Sequence, residues 1–194
     1  MLILVRHGQT AANADGLILG RADPPLNDLG RRQAEAIAGA LARPHRVVSS
    51  PLRRARQTAA AFGVEVQTDE RWIELDYGAL DGVPAASVAE EVWKRWRADA
   101  SFVPAGGESL AALGVRVRAG CEELAAEAAE RDVVVVTHVS PVKAAIAWAL
   151  DVGDDVAWRL FVEDAAVCRI EMGHDGPRLL AFNELHPPRH RRPS

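Results

Sequence analysis

The sequence predicts an α/β protein, a three-layer α/β/α sandwich around a mostly parallel sheet. Three observations predict it. Short apolar runs alternate with longer amphipathic stretches, the pattern of strands joined by crossover helices. The runs LILV (2–5) and VVVVT (133–137) are apolar nearly throughout, so both faces of those strands are expected to be covered. LILV, the valine pair at 47–48 and VVVVT are each followed by polar or basic residues, and in parallel sheets such carboxyl ends gather along one edge.

In chain order, LILV is the first strand. QTAANADGLILGRADPPLNDLG (9–30) reads as loop, and within it Asn27 caps a helix over Arg31–Ala42. A second strand lies around Val47 and Val48. Pro51 opens the first turn of a helix, PLRRARQTAAAF. GVEVQTD reads as an edge strand, and RWIELDYGALDG (71–82) as irregular. A helix is expected over 85–99 and another over 110–130, with PAGGES as the turn between them and Glu108 and Ser109 suiting the second helix's start. After VVVVT and His138, Ser140 and Pro141 supply an N-cap and a first helical residue. RLFVED (159–164) and AVCRIEM (166–172) are expected to pair as a closing β unit, with LLAFNEL last.

The 194 residues, 48% hydrophobic and 26% charged, suit one globular domain over 1–186, followed by a basic, Pro-rich tail at 187–194 that is expected to be disordered. A formal charge of −4 offers no general attraction to nucleic acid or anionic membrane. Cys121 and Cys168 fall in a helical and a strand pattern, so they read as core residues rather than a disulfide framework. No stretch reaches membrane-spanning length, and MLILV is too short for a signal-peptide core, which points to the cytoplasm. An exposed edge strand would permit a homodimer.

If the three strands run parallel, Arg6, His7, Arg54 and His138 meet in one crevice. Two histidines near acids raise the question of a metal, but guanidiniums oppose a divalent cation, and neither HExxH nor a Cys/His ligand spacing occurs. The same arginines suit an anion, and Gly8 would allow close backbone approach to it. With no GxxxxGK[ST] or GxGxxG stretch, no nucleotide cofactor is expected and the simplest cargo is one phosphoryl group. A neutral histidine can attack such a group covalently, and neighbouring arginines favour the neutral form. A leaving alkoxide needs a proton, for which Glu74 is the leading candidate and Asp76 the reserve.

LVRHGQT, SSPLRRARQTA, IELDYGALDG, PAGGES and VVVVTH, in that order, resemble the histidine phosphatase superfamily, also called phosphoglycerate-mutase-like. The resemblance spans residues 2 to about 145. It implies that His7 is phosphorylated, that Arg6, Arg54 and His138 hold the phosphoryl oxygens, and that Glu74 protonates the leaving group and later takes a proton from water. It places a phosphate contact at Asn13, with a hydroxyl bond from Thr10 beside it. The chain departs from the family pattern at Gln9 and Thr10, at Val139 and Ser140 after His138, and at Asp81, where glutamate is frequent. The Val139 N–H still offers a phosphate donor, although its side chain narrows the pocket.

The resemblance therefore implies a metal-independent phosphatase acting on a small phosphorylated metabolite. The alternatives are mutase-type transfer and a catalytically silent binder. The stretch 79–105 is short, with one helix to shield an intermediate, which favours hydrolysis. Trp93 and Trp96, three apart, share a helix face and either dock it or line the pocket. Arg21 either meets a second anionic group on the substrate or lies at the surface. Arg53 and Arg56 are expected on a solvated face.

Overall fold

The computed structural model describes residues 1–187. Six strands form one sheet: β1 (Leu2–Arg6), β2 (Arg46–Ser49), β3 (Val66–Thr68), β4 (Val133–Thr137), β5 (Val167–Gly173) and β6 (Gly176–Glu184). Their order is β3–β2–β4–β1–β5–β6. The first four run parallel, and β5 and β6 add an antiparallel hairpin beside β1.

Alternation of side chains sorts each apolar strand between two cores. Leu2, Leu4, Val133 and Val135 pack on one face with Leu113, Val117 and Leu124 of α5 (Leu110–Glu130) and Ile146 of α6 (Val139–Ala149). Ile3, Val5, Val134 and Val136 pack on the other, with Ile37 of α2 (Asp28–Ala40) and Ala55 and Ala59 of α3 (Arg53–Ala60). Helices on both faces of a mostly parallel sheet are the layers the sequence predicts. Cys121 and Cys168 are buried and free.

Helix starts follow their caps. The Asn27 side chain accepts from the Gly30 N–H at 2.8 Å, so α2 begins at Asp28, three residues before the expected start. Ser109 caps α5 through the Ala112 N–H at 3.1 Å. Other expectations are corrected. The loop after His7 contains a one-turn helix, α1 (Ala11–Ala14). The 85–99 helix is broken into a 3₁₀ turn (Ala85–Ser87) and α4 (Glu90–Ala98), because Val88 is extended and Ala89, at ψ 135°, is not helical. Pro51 precedes α3, whose N-cap is Leu52. The N-cap of α6 is His138, so Ser140 and Pro141 lie inside its first turn.

RLFVED forms no strand. Asp154–Arg159 is a 3₁₀ turn, and the backbone that follows is used by a side chain of the site; β5 pairs instead with β6, as a hairpin, and with β1. The proposed tail lies outside the described residues apart from Pro187. Among the described residues, no helix is long and apolar enough to cross a membrane.

Candidate active site

The site follows from strand order. β2, β4 and β1 are parallel neighbours, with Arg6 opposite Thr137 and Ser49 opposite Val136. The next residues along each chain, His7, His138 and Ser50, therefore emerge side by side at the carboxyl edge. The imidazoles of His7 and His138 lie 5.0 Å apart, centroid to centroid.

His7 is 3% exposed and held at both nitrogens. Nδ1 lies 2.7 Å from the Gly8 carbonyl oxygen, which only accepts, so Nδ1 carries the proton. The Arg54 Nε–H donates to Nε2 at 3.1 Å, and an arginine only donates, so Nε2 presents its lone pair. The tautomer is thus fixed by its neighbours. Burial holds the pKa well below the usual histidine range, and the charges of Arg54 and Arg6 push the same way against the Gly8 bond. The result is a neutral base.

Arg54 is wholly buried, and its other nitrogens are anchored to a loop: Nη1 donates to the Ala22 carbonyl at 2.7 Å and Nη2 to the Gly20 carbonyl at 2.8 Å. Asp81 grips the same loop from the other side of its peptides, accepting from the N–H of Gly20 at 2.9 Å and of Ala22 at 2.8 Å. Asp81 is therefore a positioning residue for the guanidinium that faces His7.

Arg6 donates from Nη1 to the Val162 carbonyl at 2.6 Å, and its Nη2 pairs with Asp164 at 2.6 Å. Its buried Nε has no partner among the described residues. His138 Nε2 lies 2.7 Å from the Ser50 hydroxyl oxygen, and its buried Nδ1 has no partner there either. Burial, Arg54 and His7 lower the His138 pKa well below the usual range. Glu74 is 3% exposed and accepts from the Leu75 N–H at 2.7 Å and from the Ser140 N–H of α6 at 3.2 Å. The same N–H reaches the second carboxylate oxygen at 3.4 Å.

A cavity of about 270 Å³ joins Arg6, His7, Asn13, Glu74 and Val139. Asn13 lines it while its Oδ1 accepts from the Thr10 N–H at 3.0 Å and hydroxyl at 2.7 Å. Thr10 is thereby occupied as the cap of α1 and does not line the cavity, contrary to expectation. Arg21 also stays off the lining and sits 3.5 Å from Glu108, which Arg116 holds at 2.8 Å. Asp76 accepts from the Gly78 N–H at 2.9 Å and does not line the cavity, leaving Glu74 as the acid there. Arg53 and Arg56 are exposed and line a separate hollow.

Packing requires Gly8: a Cβ there would lie 2.4 Å from the Gly30 carbonyl oxygen. Gly78, at φ +53°, ties two motifs together, because its Cβ would lie 2.2 Å from the Ala105 carbonyl oxygen. Trp96 is 1% exposed and docks α4, while Trp93, stacked on it at 5.9 Å, lines the cavity beside it. Both expected uses of the pair therefore hold. Sequence reasoning missed the Ser50 hydroxyl's bond to His138, Asp164 and the positioning role of Asp81.

Residues 2–185 match the model of the histidine phosphatase superfamily (branch 1). The chain belongs to this superfamily. Among relatives of this histidine phosphatase chain, a bifunctional protein of Mycobacterium tuberculosis is 40% identical over 185 residues, covering 90% of this chain and 51% of that protein. The chain thus spans about half the length of the curated relatives it matches first. Phosphoserine phosphatase 1 of Hydrogenobacter thermophilus is 35% identical, covering 94% of this chain and 91% of that one. The solved structure of a mycobacterial glucosyl-3-phosphoglycerate phosphatase superposes with a TM-score of 0.83 at 31% identity, covering 94% of this chain and 97% of that one.

Proposed function

We propose that this chain is a metal-independent phosphomonoesterase that hydrolyses a small phosphorylated metabolite through a phosphohistidine on His7. The observation that carries the reading is the state of His7: a neutral, buried imidazole whose Nε2 lone pair is fixed by its neighbours in a cavity that also holds Arg6 and Glu74. Relatives named as phosphatases of phosphoserine and of glucosyl-3-phosphoglycerate support the substrate class.

As the phosphate enters, the Arg54 Nε–H passes from His7 Nε2 to a phosphoryl oxygen; the freed lone pair attacks phosphorus, the phosphorus–oxygen ester bond breaks, and Glu74 in its acid form gives a proton to the departing alkoxide. Glu74, now a carboxylate, takes a proton from water as its oxygen attacks phosphorus; the nitrogen–phosphorus bond breaks and inorganic phosphate leaves. The partnerless Arg6 Nε–H, the Arg54 Nε–H and the His138 ring stabilise charge on the phosphoryl oxygens. The Val139 N–H, first in α6, and the Asn13 amide nitrogen complete the cradle.

Hydrolysis rather than transfer to a second substrate hydroxyl is supported by the cover over the site. Between the acid-bearing motif and PAGGES the chain builds only short 3₁₀ turns and the nine-residue α4. A silent binder is disfavoured because candidates for both nucleophile and acid line the cavity. The expected cytoplasmic setting fits two buried, free thiols. An edge strand, β3 or β6, is where a homodimer would form.

The direct test is phosphate release from p-nitrophenyl phosphate and from a panel of alkyl phosphomonoesters, with and without a chelator. Turnover is expected in both conditions. No release from any ester, or complete loss on chelation reversed by one added metal, would overturn the reading. Asp81→Ala is expected to lower turnover by up to about 10²-fold with the fold intact by circular dichroism, because the loop anchoring Arg54 loses two of its bonds. Unchanged turnover would show that the loop needs no such grip.

A further inference from the structure

The cavity extends beyond the phosphoryl end along α6. Val139 is the first residue of this helix, and Lys143 follows four positions later, on the same face and about 6 Å along the axis. Lys143 lines the cavity with Val139 and Ser140. It is half-buried, and among the described residues its ammonium has neither an ion-pair nor a hydrogen-bond partner. Arg6, the other basic side chain on this lining, differs in this respect: it pairs with Asp164.

The cavity that Lys143 lines is polar at the reacting end, where Arg6, Glu74 and Ser140 stand, and apolar over much of the remaining wall. Leu17, Leu110, Trp93 and Trp158 contribute to the wall. Trp93 is stacked on Trp96 and meets Trp158 edge-on at 6.1 Å, so the rings brace one another. Burial lowers the Lys143 pKa, Arg6 adds to this, and Glu74 opposes it. A partly desolvated ammonium is costly unless an anion meets it, and low-dielectric walls strengthen that pairing. One unpaired cation matches one negative charge.

We infer that Lys143 is a specificity residue for the leaving alcohol: the site favours phosphomonoesters whose alcohol carries a carboxylate on a largely apolar, ring-bearing skeleton. The carboxylate pairs with the Lys143 ammonium, and the skeleton lies against Trp93 and Trp158. This rests on the phosphatase reading above, since the phosphate must sit at His7 for the distance along α6 to matter.

The test compares benzyl phosphate with its ortho-, meta- and para-carboxylated analogues, which share an alkyl-type leaving oxygen. For the wild-type chain, one carboxylated isomer is expected to exceed benzyl phosphate about ten- to a hundredfold in kcat/KM, mostly through KM, as suits one charge-assisted hydrogen bond. In Lys143→Met that ratio falls to about one, and Lys143→Arg keeps part of it. Equal rates on all esters, or a preference for the uncarboxylated ester, would overturn the inference while leaving the phosphatase reading standing. A carboxylate preference that persists in Lys143→Met would also overturn it, by placing the anion elsewhere. If no ester is hydrolysed and no acid-labile phosphate forms on the protein, the phosphatase reading fails and this inference with it.

Discussion

His7→Ala is expected to lower turnover on the order of 10⁴- to 10⁶-fold, as removal of a covalent nucleophile does, and to abolish acid-labile phosphate on the protein. The substitution also removes the acceptor of the Arg54 Nε–H and the donor to the Gly8 carbonyl, so folding should be checked alongside activity. Labelling that persisted in the variant would assign the nucleophile elsewhere, to His138 first. The wild-type pH profile provides a second reading of the same residue. Attack needs the neutral ring, and burial with Arg54 and Arg6 lowers the His7 pKa. The ring therefore stays neutral as pH falls through the ordinary histidine range near 6.5. The acid limb of kcat/KM from this group is expected below that range. An acid limb at or above it that coincides with titration of the His7 ring followed by NMR in the wild-type chain would contradict the electrostatic account.

Much of this site was legible because strand ends carry a local pattern. Arg6-His7 and His138 each follow an unmistakable apolar run, and parallel pairing does the rest. Glu74 was legible only through its motif, since the feature that holds it, the Ser140 N–H, is a backbone group with no residue signature. Asp164 left no trace in the sequence. It meets Arg6 across more than 150 residues, inside RLFVED, whose β-like composition was overridden when the Val162 carbonyl turned to the Arg6 guanidinium. Thr10 shows the opposite case. Its spacing to Asn13 was a capping signal in plain view, and a helix cap competes with a ligand for the same hydroxyl.

The role of Glu74 can be separated from its packing by Glu74→Gln. The amide keeps an oxygen for the Leu75 and Ser140 N–H groups, so the side chain retains its place and loses only its titratable proton. For alkyl esters, whose alkoxide must be protonated as it leaves, the phosphorylation step is expected to slow by roughly 10²–10⁴-fold. p-Nitrophenolate leaves without that help, so its release in a single turnover should change little. Water attack on the phosphohistidine still lacks its base, and the nitrophenyl ester should therefore give a burst near one equivalent, followed by slow turnover with acid-labile phosphate accumulating. Rapid-quench measurement of both esters reads the two steps separately. Equal slowing of phosphorylation by the two esters, with no burst, would remove Glu74 as the proton donor. Asp76 lies off the cavity, with its carboxylate on the Gly78 N–H, so it would be poorly placed to take over.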